Sequence, residues 1–241
     1  NEIKKLGEND EDILTGPWFI SGNLVILRKG ESLGSFWGYK REGIWGEDEA
    51  EEAKAAGAGV GQPKRSKDRE ILGKGLPDVT GSFINNFRYK NFDLTVDLQF
   101  VLGVDVYQQF LHSTEDRFGI ANALSSVLSE GWTPANTNTM IPALYSQNSQ
   151  PDSHWVANGS YLRANLIQLG YTFEPSVLKA LHLGSLRAYF SVNNAFCITS
   201  KDFKGYDPEG TSQGTDQWGQ NIMFFQYPKP RTYTLGVNVS F

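Results

Sequence analysis

The sequence is poor in the residues that build disulfide frameworks and metal centres: one cysteine, two methionines and three histidines in 241 residues. Cys197 has no second cysteine to pair with, so no disulfide can be read from the chain. His112, His154 and His182 are scattered at no ligand spacing, and neither a metal nor another cofactor is expected. No apolar run approaches the length of about 18 residues that a membrane helix needs, and the mean hydropathy is −0.39. The first twenty positions lack a basic stretch followed by an apolar one, so no secretory leader is expected there. Such a chain is either not exported or is a piece of something longer. A net charge of −5 argues against a nucleic-acid partner, since phosphate binding needs clustered cations on one face. The single basic run, Lys64 to Arg69, reads as a solvated loop. Neither a nucleophile elbow nor a phosphate-cradling glycine loop before a helix occurs, and no enzyme activity is expected.

What is abundant is glycine and aromatic residues: 25 Gly, 15 Phe, 10 Tyr and 6 Trp, a composition that leans towards an all-β chain with many turns. The last eleven residues alternate strictly. Tyr233, Leu235, Val237, Val239 and Phe241 fall on one side, and Thr232, Thr234, Gly236, Asn238 and Ser240 on the other. That stretch is long enough to cross a bilayer as a tilted strand, although a soluble antiparallel sandwich has the same alternation.

Further strands are predicted over 186–196, with Leu186, Ala188, Phe190 and Val192 on one face, and over 161–173, where the pattern breaks near Asn165 and Leu166 as at a bulge. Residues 79–89 and 94–102 flank a tight turn at Lys90 to Asp93. The connections are about four residues, nearly sixty (103–160), about twelve (174–185) and over thirty (197–230). Short turns alternating with loops of that length are unusual in compact soluble domains and characteristic of outer-membrane barrels. Residues 174–185 can hold a helical turn after Pro175. Residues 1–78 read as the tail of an upstream strand near Ile3 to Leu6, then one long loop (7–78) with a short helix at Glu47 to Ala56.

Candidate chemistry is sparse. Asp207 and Glu209 could form the carboxylate pair of a glycosidase, but the run Gly205 to Gly210 reads better as a turn in which Asp207 binds its own backbone. The loops offer rings beside amides and carboxylates, among them Trp37, Tyr39, Trp45, Trp132, Trp155 and Trp218, which can stack on sugars, pack on peptides or fold the loops.

Several segments then form an ordered set. They are Leu33 to Tyr39 with Gly43 to Trp45; Pro77 to Gly81 leading to Phe87 through Leu94; Trp132 to Pro134; Gly159 to Arg163 with Leu169 to Tyr171; Asn193 and Asn194 with Phe196; Gly205 to Glu209; and Tyr227 to Arg231 running into the terminal strand. In this order they resemble the C-terminal part of the SusC/RagA family of TonB-dependent outer-membrane transporters of Bacteroidetes. The resemblance implies an all-β fold, roughly the last five or six strands of a large, plugged antiparallel transmembrane β-barrel that is 22-stranded in the family, with short periplasmic turns and long extracellular loops. It implies import of oligosaccharides or peptides together with a SusD-like lipoprotein, and energy coupling by TonB, ExbB and ExbD. Neither plug nor TonB box is found in residues 1–241. Arg163, Arg187, Tyr189 and Asn193 would face the lumen, Phe241 would be the terminal aromatic read by the barrel assembly machinery, and outward Leu, Val and Phe would meet outer-membrane lipid. Trp37, Tyr39, Trp132, Trp155 and Trp218 are the rings expected to touch substrate. An Asp/Asn-rich segment common in the family before the glycine at Gly73 is replaced here by the shorter, basic stretch from Gly61 to Glu70, so no ion site is carried over. The alternative reading is a secreted soluble all-β carbohydrate-binding module.

Overall fold

The computed structural model describes residues 1–16, 23–116, 121–146, 150–210 and 218–241. The chain divides into two compact units. One gathers residues 78–102, 160–200 and 227–241; the other gathers 1–77, 103–159 and 201–226.

The first unit is a five-stranded antiparallel sheet whose strands neighbour one another in chain order. Numbered along the whole chain, its strands are β5 (Val79–Tyr89), β6 (Phe92–Leu102), β9 (Tyr161–Thr172), β10 (Ser185–Thr199) and β12 (Thr232–Ser240). Each occupies a stretch of alternating sequence, because period-two patterning gives a strand one apolar and one polar face. The first turn is tighter than the sequence suggests. Tyr89 pairs with Phe92, leaving only Lys90 and Asn91 between strands, and Lys90 takes a left-handed φ of 51°. The second short connection holds a helix, α4 (Pro175–Leu181), with Pro in its first turn and His182 left-handed at its end.

Register fixes which residues share a face. One cross-strand row reads Arg88, Asp93, Gly170, Tyr189, Gly236. The adjacent row on the opposite face reads Phe87, Leu94, Leu169, Phe190 with Leu235. Phe83, Phe87, Leu169, Phe190, Leu235 and Val237 on that apolar face are all exposed, which a water-soluble sheet of this size does not tolerate. At the end with the short turns, Phe92 packs on Tyr171 with centroids 4.8 Å apart, and Tyr171 meets Phe173 edge-on at 5.1 Å. Rings collected at one level of an apolar face are what an interfacial girdle looks like. The register slips between Asn193 and Phe196 on one side of β9 and between Asp97 and Leu98 on the other. The irregularity therefore spans Asn165, where the alternation fails, because an extra residue flips the side chains that follow it.

The second unit corrects the reading of residues 7–78 as one loop. A four-stranded sheet lies there: β1 (Ile13–Thr15), β2 (Val25–Leu27), β3 (Ser35–Ile44) and β4 (Pro63–Lys74). Its long strands escape a periodicity search because their sequences are rich in Lys, Arg and Glu and β3 pairs with β4 through three irregularities. The basic run Lys64 to Arg69 lies inside β4 and is not a solvated loop. The helix expected near Glu47 is present as a single 3-10 turn at Glu47–Glu49 continuing into α1 (Ala50–Ala55). Ile3 to Leu6 is not a strand; Ile3 instead exchanges backbone hydrogen bonds with Gly30 and Glu31. The long connections also carry structure: β7 (Asp105–Gln108), α2 (Phe110–Thr114), α3 (Ser125–Ser129), β8 (Val156–Asn158) and β11 (Ile222–Met223), with β11, β7 and β8 in one small sheet. A core of Leu24, Val25, Leu27, Phe36, Tyr107, Leu111, Trp155 and Ile222 draws on all three segments of this unit, with a smaller cluster of Val106, Ala157 and Met223. Segments that would each be a structureless loop fold by burying their apolar side chains against one another.

No helix among the described residues is long and apolar enough to cross a membrane, which says nothing of crossing by strands.

Candidate functional site

Within the second unit, Arg41 is the tie between segments. Its side chain is almost completely inaccessible, and it reaches Asp152 through Nε at 3.0 Å and Nη2 at 2.6 Å, Asp116 through both terminal nitrogens, and the Met140 carbonyl at 2.8 Å. Burial works against the guanidinium charge, but Asp116 and Asp152 outweigh it and raise the Arg41 pKa. A guanidinium that is always ionised and has five donors suits such a position. Arg65 approaches the same Asp152 oxygen at 3.3 Å.

A second knot joins Glu115 Oε2 to His154 Nε2 at 2.7 Å and Glu115 Oε1 to Lys204 Nζ at 2.7 Å. Burial alone would push the Glu115 carboxyl up, yet the bonds and charges of His154 and Lys204 hold it below the usual carboxylate range. Tyr107, wholly buried, has its phenol pushed well above its ordinary value, first by burial and then by the nearby Asp152 charge.

The rings expected to touch substrate separate sharply. Trp155 is fully buried, edge-on to Tyr107 at 5.9 Å and to His112 at 5.4 Å, and Trp132 is buried against Gly61. Both rings hold the unit together and offer no face to a ligand, so these two expectations are corrected. Trp218 packs half-buried against the main core. Trp37 is half-buried beneath the Arg28 guanidinium, and Tyr39 lies under that of Arg69 at 5.1 Å. Tyr39 alone of the five lines a cleft of about 670 Å³, together with Glu42, Trp45, Lys64, Arg65 and Lys67. Trp45 carries Lys64 on its face at 4.6 Å. Both rings of the cleft are thus covered by cations, and charged side chains line it beside the apolar Ala56, Ala58 and Pro63. Sequence reading missed it because it forms where β4 bulges: three residues, Ser66 to Asp68, stand opposite Lys40 alone.

Asp207 Oδ1 accepts a hydrogen bond from the Glu209 amide at 2.9 Å, and Asp207 is buried. The pair sits in a turn in which Asp207 binds its own backbone. The three histidines have different surroundings: His112 is in the core, His154 on Glu115 and His182 at the end of α4.

In the five-stranded sheet, Arg187 lies on the polar face and pairs with Asp93 two strands away, Nε at 3.0 Å and Nη2 at 2.5 Å. The intervening position, Gly170, has no side chain to block the reach. Tyr189 shares that face, with the Arg187 guanidinium 5.4 Å from its ring. Arg163 is buried, its guanidinium 5.3 Å from the Tyr161 ring, and Asn193 is exposed beside the irregularity. Phe241 is fully exposed just beyond β12.

A meander of five antiparallel strands with an exposed apolar face, a polar opposite face and long structured insertions defines part of the wall of a large outer-membrane-type barrel. Comparison with known proteins gives the same class. TonB-dependent receptor P3 of Formosa agariphila is 30% identical over 260 residues, which takes in 100% of this chain and 26% of that protein. TonB-dependent receptor SusC of Bacteroides thetaiotaomicron is 31% identical over 179 residues, 73% of this chain and 16% of that protein. The structure of the RagAB peptide transporter superposes with a TM-score of 0.75 at 24% identity, covering 100% of this chain and 25% of that one. No family model matches the chain. The chain belongs to the SusC/RagA family of TonB-dependent receptors, whose named members are receptors and transporters and not enzymes. It spans about a quarter of the length of the relatives that it matches in full.

Proposed function

We propose that this chain is the wall and mouth of a TonB-dependent importer in the outer membrane, which takes up oligosaccharides or peptides together with a SusD-like lipoprotein. The observation that carries the reading is the exposed apolar face of the five-stranded sheet, backed by a polar face on the same strands. Alternating faces of that kind need lipid on one side and water or protein on the other. Arg163, Arg187, Tyr189 and Asn193 belong to the lumen side in this reading. Phe241 serves barrel assembly, and TonB, ExbB and ExbD act through parts of the protein beyond these residues. Within the unit formed by the insertions, the cleft beside Tyr39 is the surface best suited to meet a polar substrate.

The test is recovery of the native protein from outer-membrane extracts in detergent, with an antibody against residues 197–230. Recovery in a polypeptide several times heavier than 26.9 kDa, with a lipoprotein partner, is the expected result. A 26.9 kDa species in the soluble fraction would overturn it and favour the carbohydrate-binding module.

A further inference from the structure

The chain carries more acidic than basic residues, 27 against 22, yet the cleft beside Tyr39 reverses that balance: Lys64, Arg65 and Lys67 line it against Glu42 alone. All three bases come from one charged stretch of β4, at and beside the bulge opposite Lys40.

The three bases differ in how far they are already answered. Lys64 is engaged, since its ammonium binds the Glu49 carboxylate and lies on the Trp45 ring. Arg65 is held by one nitrogen only. Its Nε is the third donor, at 3.3 Å, to an Asp152 oxygen that already accepts Nε and Nη2 of Arg41, and its two terminal nitrogens hydrogen-bond to nothing among the described residues. Asp152 itself is inaccessible, so a ligand meets the guanidinium and not the acid behind it. Lys67 is exposed and makes no hydrogen bond or ion pair among the described residues. A group entering the cleft therefore finds two open cation heads and one acid, Glu42.

The remaining lining bears on what carries the anion. Sugars are commonly held by stacking on an open aromatic face, but Trp45 is buried with Lys64 on its ring and Tyr39 is half-buried with Arg69 on its own. The apolar part of the wall is instead Ala56, Ala58 and Pro63, which suit short aliphatic side chains and offer no partners to a row of hydroxyls. With a volume of about 670 Å³, the cleft has room for a short stretch of peptide.

We propose that this cleft is a binding site for acidic peptides, in which Arg65 and Lys67 take the carboxylates of Asp or Glu side chains and Ala56, Ala58 and Pro63 take the short apolar side chains between them. The proposal rests on the reading of the cleft as the surface that meets substrate, and it names the class of that substrate. Arg65, steadied through its Nε, offers its terminal nitrogens as a fork for one carboxylate, and Lys67 supplies a point charge for another. Glu42 opposes an unbroken run of acid, so the preferred peptide intersperses acidic with small apolar residues.

The experiment uses the full-length receptor purified from outer membranes in detergent. The probes are a fluorescent hexapeptide of alternating Glu and Ala, its counterpart with Gln for Glu, and a labelled oligogalacturonate. Fluorescence anisotropy should show the Glu peptide binding about tenfold tighter than the Gln peptide at low salt, with the gap narrowing as salt rises. Lys67→Glu, at an exposed and unbonded position, should close most of that gap while the heat-modifiable folded band is retained. Glu42→Gln should tighten the Glu peptide about threefold. Equal binding of the two peptides, no binding of either, or a gap that survives both Lys67→Glu and Arg65→Gln overturns the inference. Tighter binding of the oligogalacturonate than of the Glu peptide overturns it too, in favour of an acidic glycan. In each of these cases the importer reading stands, because the receptor still comes from the outer membrane. Recovery of the full chain as a soluble protein would instead remove the importer reading, and the peptide's role as cargo with it.

Discussion

The ring of Tyr189 lies directly on the backbone of Gly236, its register partner across β10 and β12, so closely that a Cβ at position 236 would fall inside contact distance of the ring. On its other side Tyr189 is in register with Gly170, which likewise makes room for the Arg187 to Asp93 ion pair. Two glycines therefore let one tyrosine and one arginine lie along the sheet. Aromatic cover of a strand glycine also restores the packing that glycine lacks.

Gly236→Val should consequently destabilise the sheet by about 1–3 kcal/mol through overpacking against Tyr189. The check is the urea midpoint of the heat-modifiable folded band of the full-length receptor. Combining Gly236→Val with Tyr189→Ala should recover part of the loss, because the clash is with that ring.

The Arg187 to Asp93 pair is about three-quarters buried in both partners and spans three strands. Asp93→Asn should cost about 1 kcal/mol in the same measurement. The charge swap Asp93→Arg with Arg187→Asp should be milder than either single reversal. Equal effects would show that the two positions are not coupled.

Arg41→Gln should be far more damaging, at about 3–5 kcal/mol, since it strands Asp116 and Asp152 without their buried counter-charge. The expected readout is rapid trypsin cleavage within residues 103–159 while the five-stranded sheet stays protected.

Acid should loosen the second unit through Glu115. Its folded pKa lies below the ordinary value of 4.5, so its contribution to stability is fully present above that pH and is lost as the pH falls through the lowered folded pKa. Protease sensitivity of this unit should therefore rise below about pH 4.5. Glu115→Gln should flatten that dependence while lowering stability at neutral pH, because His154 and Lys204 lose their shared acceptor.

Much of the sheet was legible because its strands answer to a local rule. Leu94, Val96 and Leu98 alternate with Asp93, Thr95 and Asp97 whatever lies beyond, and the failure of alternation at Asn165 marks the place where register slips. Pro175 likewise marks the first turn of α4. The insertions obey no such rule. β3 and β4 are charged strands with bulges, and β7, β8 and β11 are only two to four residues long, too short for a period to be counted. Trp132 and Trp155 looked like ligand rings because a tryptophan in a long loop has the same sequence signature whether it faces water or a core.

The sequence by itself determined the alternation, the placing of short and long connections and the family resemblance, since these depend on residue order within one strand or turn. Tertiary structure alone decided that three distant segments share the core around Trp155, that Arg41 joins Asp116 to Asp152, and that Asp97 stands between Ile84 and Leu166. Burial and charge pairing depend on which segments meet in space, and contacts between residues a hundred positions apart leave no periodic trace along the chain.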